Sequence, residues 1–265
     1  MEEVLGLEDL YNSIRSYESA LVALSGGVDS SVVAAIAKRA LGDNAVAVTV
    51  DNGLLGIGDL ERASNVAAEV GIRHLFINAS PLSLPEVKRN DPERCYHCKK
   101  FIFRRLKSLA EELRLRVVLD GTNASDLKEY RPGIKALQEL GTVSPLVHLT
   151  KKEIRELARE LGLQVANAPS AACLLTRFPY HTDITHEMLE RVRKAEAIVK
   201  SFSFAQVRVR DHGGIARIEV GKEDHARVLE QAESLSEILQ TLGFTYVTLD
   251  LHGLQSGSMD RGKHR

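Results

Sequence analysis

Ser25-Gly26-Gly27-Val28-Asp29-Ser30-Ser31 sets two glycines, three hydroxyls and a carboxylate within seven positions. Glycine has no Cβ, so the backbone at Gly26 and Gly27 can approach an anion closely and φ can turn positive. The serines add hydroxyl donors, and Asp29 offers an oxygen ligand of the kind Mg²⁺ takes. Together these are the parts of a phosphate cradle. The heptad has no lysine, so it is not the GxxxxGK[ST] loop of kinases and GTPases. The second set is sulfur: Cys95, Cys98 and Cys173. An odd number of cysteines argues against a disulfide framework and leaves metal, cluster or redox chemistry. Alone, the spacing Cys95-Tyr96-His97-Cys98 suits a zinc half-site, a redox pair or a cluster. Zinc would want a fourth ligand such as His97 or His181.

The elements around the heptad must hold it at the end of a sheet. Ala20 to Leu24 reads as a buried strand and Val28 to Ala40 as a helix, so the heptad is the turn between them. Further strands are expected over 45–50, 74–78, 117–119 and 143–147. Helices are expected over 59–70, 99–113 and 151–161. This alternation predicts an α/β fold, a doubly wound parallel sheet with helices on both faces. Residues 1–19 read as a helix with Leu5, Leu7, Leu10 and Tyr11 on its apolar side. Residues 80–92 hold Pro81, Pro85 and Pro92 and read as a long irregular loop that delivers the two near cysteines. Thr150 and Glu153 are spaced as a capping box.

Polar residues follow the strand ends, where a doubly wound sheet binds its ligand. Asp51 closes the second strand, either as a ligand contact or as a turn residue or cap. Asp120 to Asp126 follows the fourth. There Gly121 permits close approach, while Asn123 and Asp126 offer polar contacts or helix caps. Arg131, after Tyr130, is a candidate phosphate ligand. Beyond 166 the pattern changes. Small residues, among them Ser170 and Ala171, flank Cys173, and Arg177 follows. A helix over 185–200, a hairpin over 206–220, a helix over 224–242 and a strand over 246–251 predict a smaller α+β unit. Arg208 and Arg210 lie two apart on one strand face. There they suit a phosphate or the ordinary charge of an edge strand. The expected division is 1–166, 167–255 and a loose tail over 256–265.

Composition narrows the class. A hydrophobic share of 44% over 265 residues permits a proper core. The formal net charge of −1 gives no global basic field, so long nucleic acid is not the expected partner. The longest aliphatic run near the loop, Val32 to Ala37, is too short to span a bilayer. The N-terminus is acidic and lacks the pattern of a leader. A soluble, cytoplasmic protein with no membrane partner is the expectation.

SGGVDSS matches the SGGxDS signature of the PP-loop ATP pyrophosphatases, which cleave ATP between the α and β phosphates. Within that group the chain resembles the LarE sulfur transferases over roughly residues 15–255. The resemblance rests on SGGVDSS, the GTNASD segment at 121–126, PSAACLLTRFPY at 169–180 and VRVRDHGGIARIEV at 207–220. It implies that ATP and Mg²⁺ adenylate a carboxylate of a pyridinium dicarboxylic acid mononucleotide. A sulfur nucleophile then displaces AMP, twice over, to make the nickel-pincer cofactor of lactate racemase. It implies a nucleotide site of Ala23, Ser25, Gly26, Gly27, Asp29, Ser30, Ser31, Asp51, Gly121, Asn123, Asp126 and Arg131. The implied substrate site is Thr176, Arg177, Glu196, Arg208 and Arg210, with Cys173, Asp29 and Arg177 as the catalytic residues.

Two branches of that family obtain sulfur differently. In one, a cysteine at the position of Cys173 gives up its own sulfur. In the other, three cysteines hold a 4Fe-4S cluster with one open iron. Cys95 and Cys98 depart from the first branch and match the second, so the resemblance favours Cys95, Cys98 and Cys173 as cluster ligands. A sacrificial Cys173 and a PP-loop transfer-RNA thiolase are the alternatives. The resemblance also implies a homo-oligomer, with a hexamer as the size to test.

Overall fold

The computed structural model describes residues 6–127, 131–169, 172–255 and 257–259. Leu5, Tyr130, Ser170, Ala171 and most of the tail, residues 256 and 260–265, lie outside the described residues. The chain divides into two compact units, residues 1–87 with 93–171 and residues 88–92 with 172–265.

The first unit runs α1 (Leu7–Arg15), β1 (Ala20–Ala23), α2 (Val28–Leu41), β2 (Ala45–Asp51), α3 (Asp59–Val70), β3 (Arg73–Asn78) and the single turn α4 (Pro85–Lys88). It continues through α5 (Arg94–Glu112), β4 (Val117–Leu119), the short α6 (Ala124–Leu127), α7 (Pro132–Glu139) and α8 (Lys151–Glu160). Its four strands are parallel in the order β3-β2-β1-β4. Successive strand side chains point to opposite faces, and both faces are covered. Ala20, Val22, Ala45, Ala47 and Leu119 pack with Leu10, Ile14, Val32, Ile36, Val66 and Ile154. Leu21, Val46, Val48 and Val118 pack with Phe103, Leu106 and Leu137. That two-sided burial explains why β1, β4 and residues 45–48 of β2 are apolar throughout, while the edge strand β3 carries Arg73, His74 and Asn78. The strand order reverses between β1 and β4, which opens a crevice at their carboxyl ends.

Three local expectations need correction. The run 143–147 is not a strand: only Val143 bridges, to Leu119, and residues 145–148 turn. Pro145 has no N–H to donate, so a ladder cannot continue through it. The helix expected at 99–113 begins at Arg94, so Cys95 and Cys98 lie inside its first turns rather than in the preceding loop. The helix expected over 224–242 is two helices that meet at Gln231.

The second unit contains α9 (His186–Ser201), β5 (Val207–Asp211), β6 (Ile215–Val220), α10 (His225–Glu230), α11 (Ala232–Gln240) and β7 (Tyr246–Leu249). β5 and β6 form the antiparallel hairpin, and β7 returns parallel to β6. One face of this sheet, with Val209, Ile218 and Val220, packs on Ala195, Val199, Val228, Leu235 and Leu239. Alternation sends Arg208, Arg210, Arg217 and Glu219 to the other face. Among the described residues no helix is long and apolar enough to cross a membrane.

Candidate functional site

The heptad is the turn from β1 into α2. Gly26 has φ 73°, and a Cβ there would stand 2.7 Å from the backbone nitrogen of Ala63. Only glycine fits that crowded, left-handed position. Ser25 N donates to Ser30 Oγ at 3.1 Å, and Ser30 Oγ donates to the Gly27 carbonyl at 3.0 Å. Ser31 is fully buried, with its hydroxyl 2.8 Å from the same carbonyl. Ser31 thus lies beneath the loop and holds its shape, while Ser25 is exposed. Ala23 ends β1 just before the turn.

The loop after β4 closes on the heptad from the other side of the crevice. A Cβ on Gly121 would stand 2.8 Å from Ser30 N and 3.0 Å from Asp29 Cβ. Asn123, almost fully buried, accepts from the amides of Ser125 and Asp126 and so caps α6. Asp126 accepts from Asn123 N and pairs with Arg131 at 3.0 Å. Asp51 accepts from Gly53 N at 3.1 Å and fixes the turn after β2.

Lys151, which sequence spacing does not single out, joins this group. Its Nζ lies 2.5 Å from Asp29 Oδ2. Its backbone N–H donates to Ser125 Oγ, which anchors the start of α8 to the Gly121 loop. The capping box forms as expected, with Thr150 N donating to Glu153 Oε2 at 2.7 Å. These bonds hold the Glu153 carboxyl below its ordinary value, the Thr150 hydroxyl contributing most. The other oxygen of Asp29, Oδ1, is buried with no partner among the described residues. A buried, unpaired carboxylate oxygen beside a phosphate cradle is a donor that fits Mg²⁺.

The sheet of the second unit builds a guanidinium cluster. Arg177 grips Glu196 with two nitrogens, Nε to Oε1 at 2.6 Å and Nη2 to Oε2 at 3.2 Å. It also donates to Thr176 Oγ1 at 2.8 Å, and Thr176 Oγ1 donates to the Cys173 carbonyl at 2.7 Å. Glu196 accepts in addition from Val209 N. Arg210 donates to the Thr176 carbonyl at 2.5 Å and to Glu219 Oε2 at 2.8 Å. Glu219, fully buried, accepts from Arg217 and Ser258 as well. Burial alone would raise the Glu219 pKa. The hydrogen bonds from Arg210 and Ser258, with the Arg210 and Arg217 charges, outweigh burial and hold it below the ordinary value. All five residues of the implied substrate site therefore gather in one unit.

Arg208 stands apart in that cluster. Arg177, Arg210 and Arg217 each reach a carboxylate. Among the described residues Arg208 has no ion pair, and its Nη1 reaches only the Gln255 carbonyl at 3.5 Å. Burial, then the charges of Arg177 and Arg210, push its guanidinium below the ordinary value. Arginine stays protonated regardless, so the cluster holds a partly desolvated positive charge in need of an anion.

None of the three cysteines forms a disulfide. Cys95 and Cys98 are three residues apart at the start of α5, so both project from one side of the helix. Tyr96 between them donates to Glu139 Oε2 at 2.8 Å and accepts from Lys100 at 2.6 Å, which ties this turn to α7. Cys173 is exposed and opens a single helical turn over Leu174–Arg177. Among the described residues no three His, Cys, Asp or Glu side chains gather closely enough to hold a metal ion.

Comparison with known proteins fits this geometry. The NAD synthase family model matches residues 3–103, the part that contains the heptad. A Lactiplantibacillus plantarum protein named pyridinium-3,5-bisthiocarboxylic acid mononucleotide synthase is 37% identical over 95% of this chain and 92% of its own. This chain belongs to the LarE family of PP-loop, ATP-using sulfur transferases. An uncharacterized Synechocystis protein is 42% identical over 96% of this LarE-family chain and 97% of its own. A subunit of the glutamine-hydrolyzing GMP synthase of Methanothermobacter thermautotrophicus is 36% identical over 73% of this chain and 68% of its own.

Proposed function

We propose that this LarE-family enzyme adenylates a carboxylate of pyridinium dicarboxylic acid mononucleotide and converts it to a thiocarboxylate for nickel-pincer cofactor synthesis. The observation that carries this reading is the arginine cluster, whose Arg208 has no carboxylate partner among the described residues. A mononucleotide brings one phosphate, and a guanidinium fork suits it.

The first unit, with Ser25, Gly26 and Gly27, binds the ATP phosphates, and Gly121 closes the crevice behind them. Asp29 Oδ1 would hold Mg²⁺, which would supply charge to the phosphates. Lys151 supplies the cation that the heptad lacks and leaves Asp29 for the departing pyrophosphate. Charge placed where charge develops lowers the barrier to adenylation. The P–O bond between the α and β phosphates breaks, a carboxylate oxygen takes the AMP, and pyrophosphate leaves. In the second unit Arg208 holds the substrate phosphate, and Thr176 and Arg177 orient the end that reacts. A sulfur nucleophile then attacks the acyl carbon and AMP leaves.

In this reading Cys95, Cys98 and Cys173 would hold a 4Fe-4S cluster. Their donor chemistry fits it, since all three are thiols outside disulfides and two share one helical turn. Bound there, such a cluster would supply sulfide-level sulfur for the transfer. The reading extends to a cytoplasmic homo-oligomer.

Pyrophosphate release measured with the pyridinium mononucleotide, with transfer RNA and with neither tests the assignment. Release that depends on the mononucleotide is the expected result. Release that depends on transfer RNA instead overturns it. Iron and sulfide assay with an absorption spectrum after anaerobic purification tests the cluster separately.

A further inference from the structure

Asn90 is fully buried and polar, and its backbone is left-handed with φ 51°. Its Nδ2 donates to two carbonyls, Phe178 at 3.1 Å and Pro179 at 2.8 Å. Its own backbone carbonyl accepts from His181 N, and the Lys88 carbonyl accepts from Ile184 N at 2.7 Å. Residues 88–92 and 178–184 belong to the same compact unit, so these bonds stitch a short inserted segment onto the loop that carries Cys173, Thr176 and Arg177.

The residue type is the one the place demands. An irregular loop leaves carbonyls that no ladder satisfies, and buried carbonyls need donors. A side-chain amide nitrogen offers two N–H groups from one atom, and asparagine enters the left-handed region more readily than other non-glycine residues. Asn90 Oδ1 remains buried without a partner among the described residues. That orphan is a cost that an apolar residue of similar size would not carry, so packing alone does not account for an asparagine here.

We infer that Asn90 is a positioning residue for the substrate loop. It fixes the run from Cys173 to Tyr180, so that Thr176 and Arg177 meet the mononucleotide in one register. The inference rests on the substrate assigned above.

Asn90→Gly tests this in the full-length protein as purified. Glycine keeps the left-handed backbone and removes only the side-chain bonds. The expected result is amide exchange over 172–184 faster by about tenfold, with exchange over 20–41 unchanged. The Michaelis constant for the mononucleotide should rise about tenfold, with that for ATP within about twofold of wild type. Asn90→Asp, which sets carboxylate oxygens against the two carbonyls, should show the same split and serves if the glycine variant does not accumulate. Unchanged exchange over 172–184 overturns the inference. So does an equal rise in both Michaelis constants with a lowered melting temperature, the mark of general loosening. Wild-type protein that ignores the mononucleotide overturns the substrate assignment instead, and the exchange measurement does not depend on it.

Discussion

Lys151 Nζ stands 2.5 Å from Asp29 Oδ2, although 122 residues separate the two in the chain. The pair sits at the mouth of the phosphate loop, where Gly121 brings the β4 loop against the Asp29 backbone. Asp29 therefore presents one oxygen to a lysine and, among the described residues, one to no partner.

Asp29→Ala is expected to abolish mononucleotide-dependent pyrophosphate release without unfolding the protein. Lys151→Ala should slow it by about a hundredfold, the scale seen when one preorganised charge is removed from a transition state. Lys151→Arg should restore part of the rate. Release assayed by a coupled pyrophosphatase decides: a wild-type rate in Asp29→Ala removes Asp29 from the mechanism.

The β5–β6 register sets Arg208 opposite Glu219 and Arg210 opposite Arg217, yet the ion pair forms on the diagonal, Arg210 with Glu219. Both partners of that pair are buried. Removing Arg210 leaves the buried Glu219 to Arg217 and Ser258 alone, at a cost below the ~3–5 kcal/mol of a wholly unpaired buried charge. Arg210→Ala should therefore lower the melting temperature. Arg208→Ala should leave it near wild type and raise the Michaelis constant for the mononucleotide, by about 1–3 kcal/mol in binding. The reverse assignment of the two effects would show that Arg208 is the structural residue.

The same cluster sets an acid limit. The Glu219 carboxyl has a folded pKa below its unfolded value. Its contribution to stability is thus full above the unfolded glutamate pKa, about 4.3, and is lost as pH falls through the lower folded value. Thermal melts from pH 7 downward should show a loss below about pH 4.3 that is smaller in Glu219→Gln. Parallel curves for the two proteins would assign the acid limit to other carboxylates.

Much of the first unit is legible in the sequence because burial on both faces makes β1, β4 and residues 45–48 of β2 apolar at every position. The heptad announces itself because close approach to an anion restricts its residue types. The sequence also marks Arg208 and Arg210 as neighbours on one face, since the period of a strand is local. It does not reveal that Arg210 is taken by Glu219, Arg177 by Glu196 or Asp29 by Lys151. Those pairs are 9, 19 and 122 residues apart, and no local period links them. Val143 to Val147 misleads because its apolar pattern is right and only the missing N–H of Pro145 stops the ladder. The start of α5 is hidden because Glu93 to Cys98 shows no apolar repeat.

Gly121 gives a sharper test of the crevice than any polar residue there. Its added Cβ would meet Ser30 N at 2.8 Å and Asp29 atoms at 3.0 Å. Backbone cannot yield as a flexible side chain can, so Gly121→Ala must push the β4 loop off the heptad. The Michaelis constant for ATP is expected to rise by about tenfold or more, about 1.4 kcal/mol. That for the mononucleotide should hold, because its proposed contacts lie in the other unit. ATP binding measured by calorimetry checks this, and wild-type affinity in Gly121→Ala would deny that the two loops close on the nucleotide together.

The source of sulfur separates two chemistries that share every other residue. If Cys95, Cys98 and Cys173 hold one cluster, each single Cys→Ala change removes iron, visible absorption and repeated turnover together, because three thiolates act as a unit. ATP binding survives, since Asp29, Lys151 and the glycines are untouched. If Cys173 gives up its own sulfur, its Cβ–S bond breaks by elimination. The protein is then left with dehydroalanine at 173 and the mass of one H₂S less. In that case Cys95→Ala and Cys98→Ala stay active for one round. Cys173 is exposed, which suits either chemistry, and activity alone does not separate them. Mass spectrometry of fully turned-over protein does. An intact Cys173 in protein that has completed several rounds is the expected result, and dehydroalanine at that position would retire the cluster as the donor.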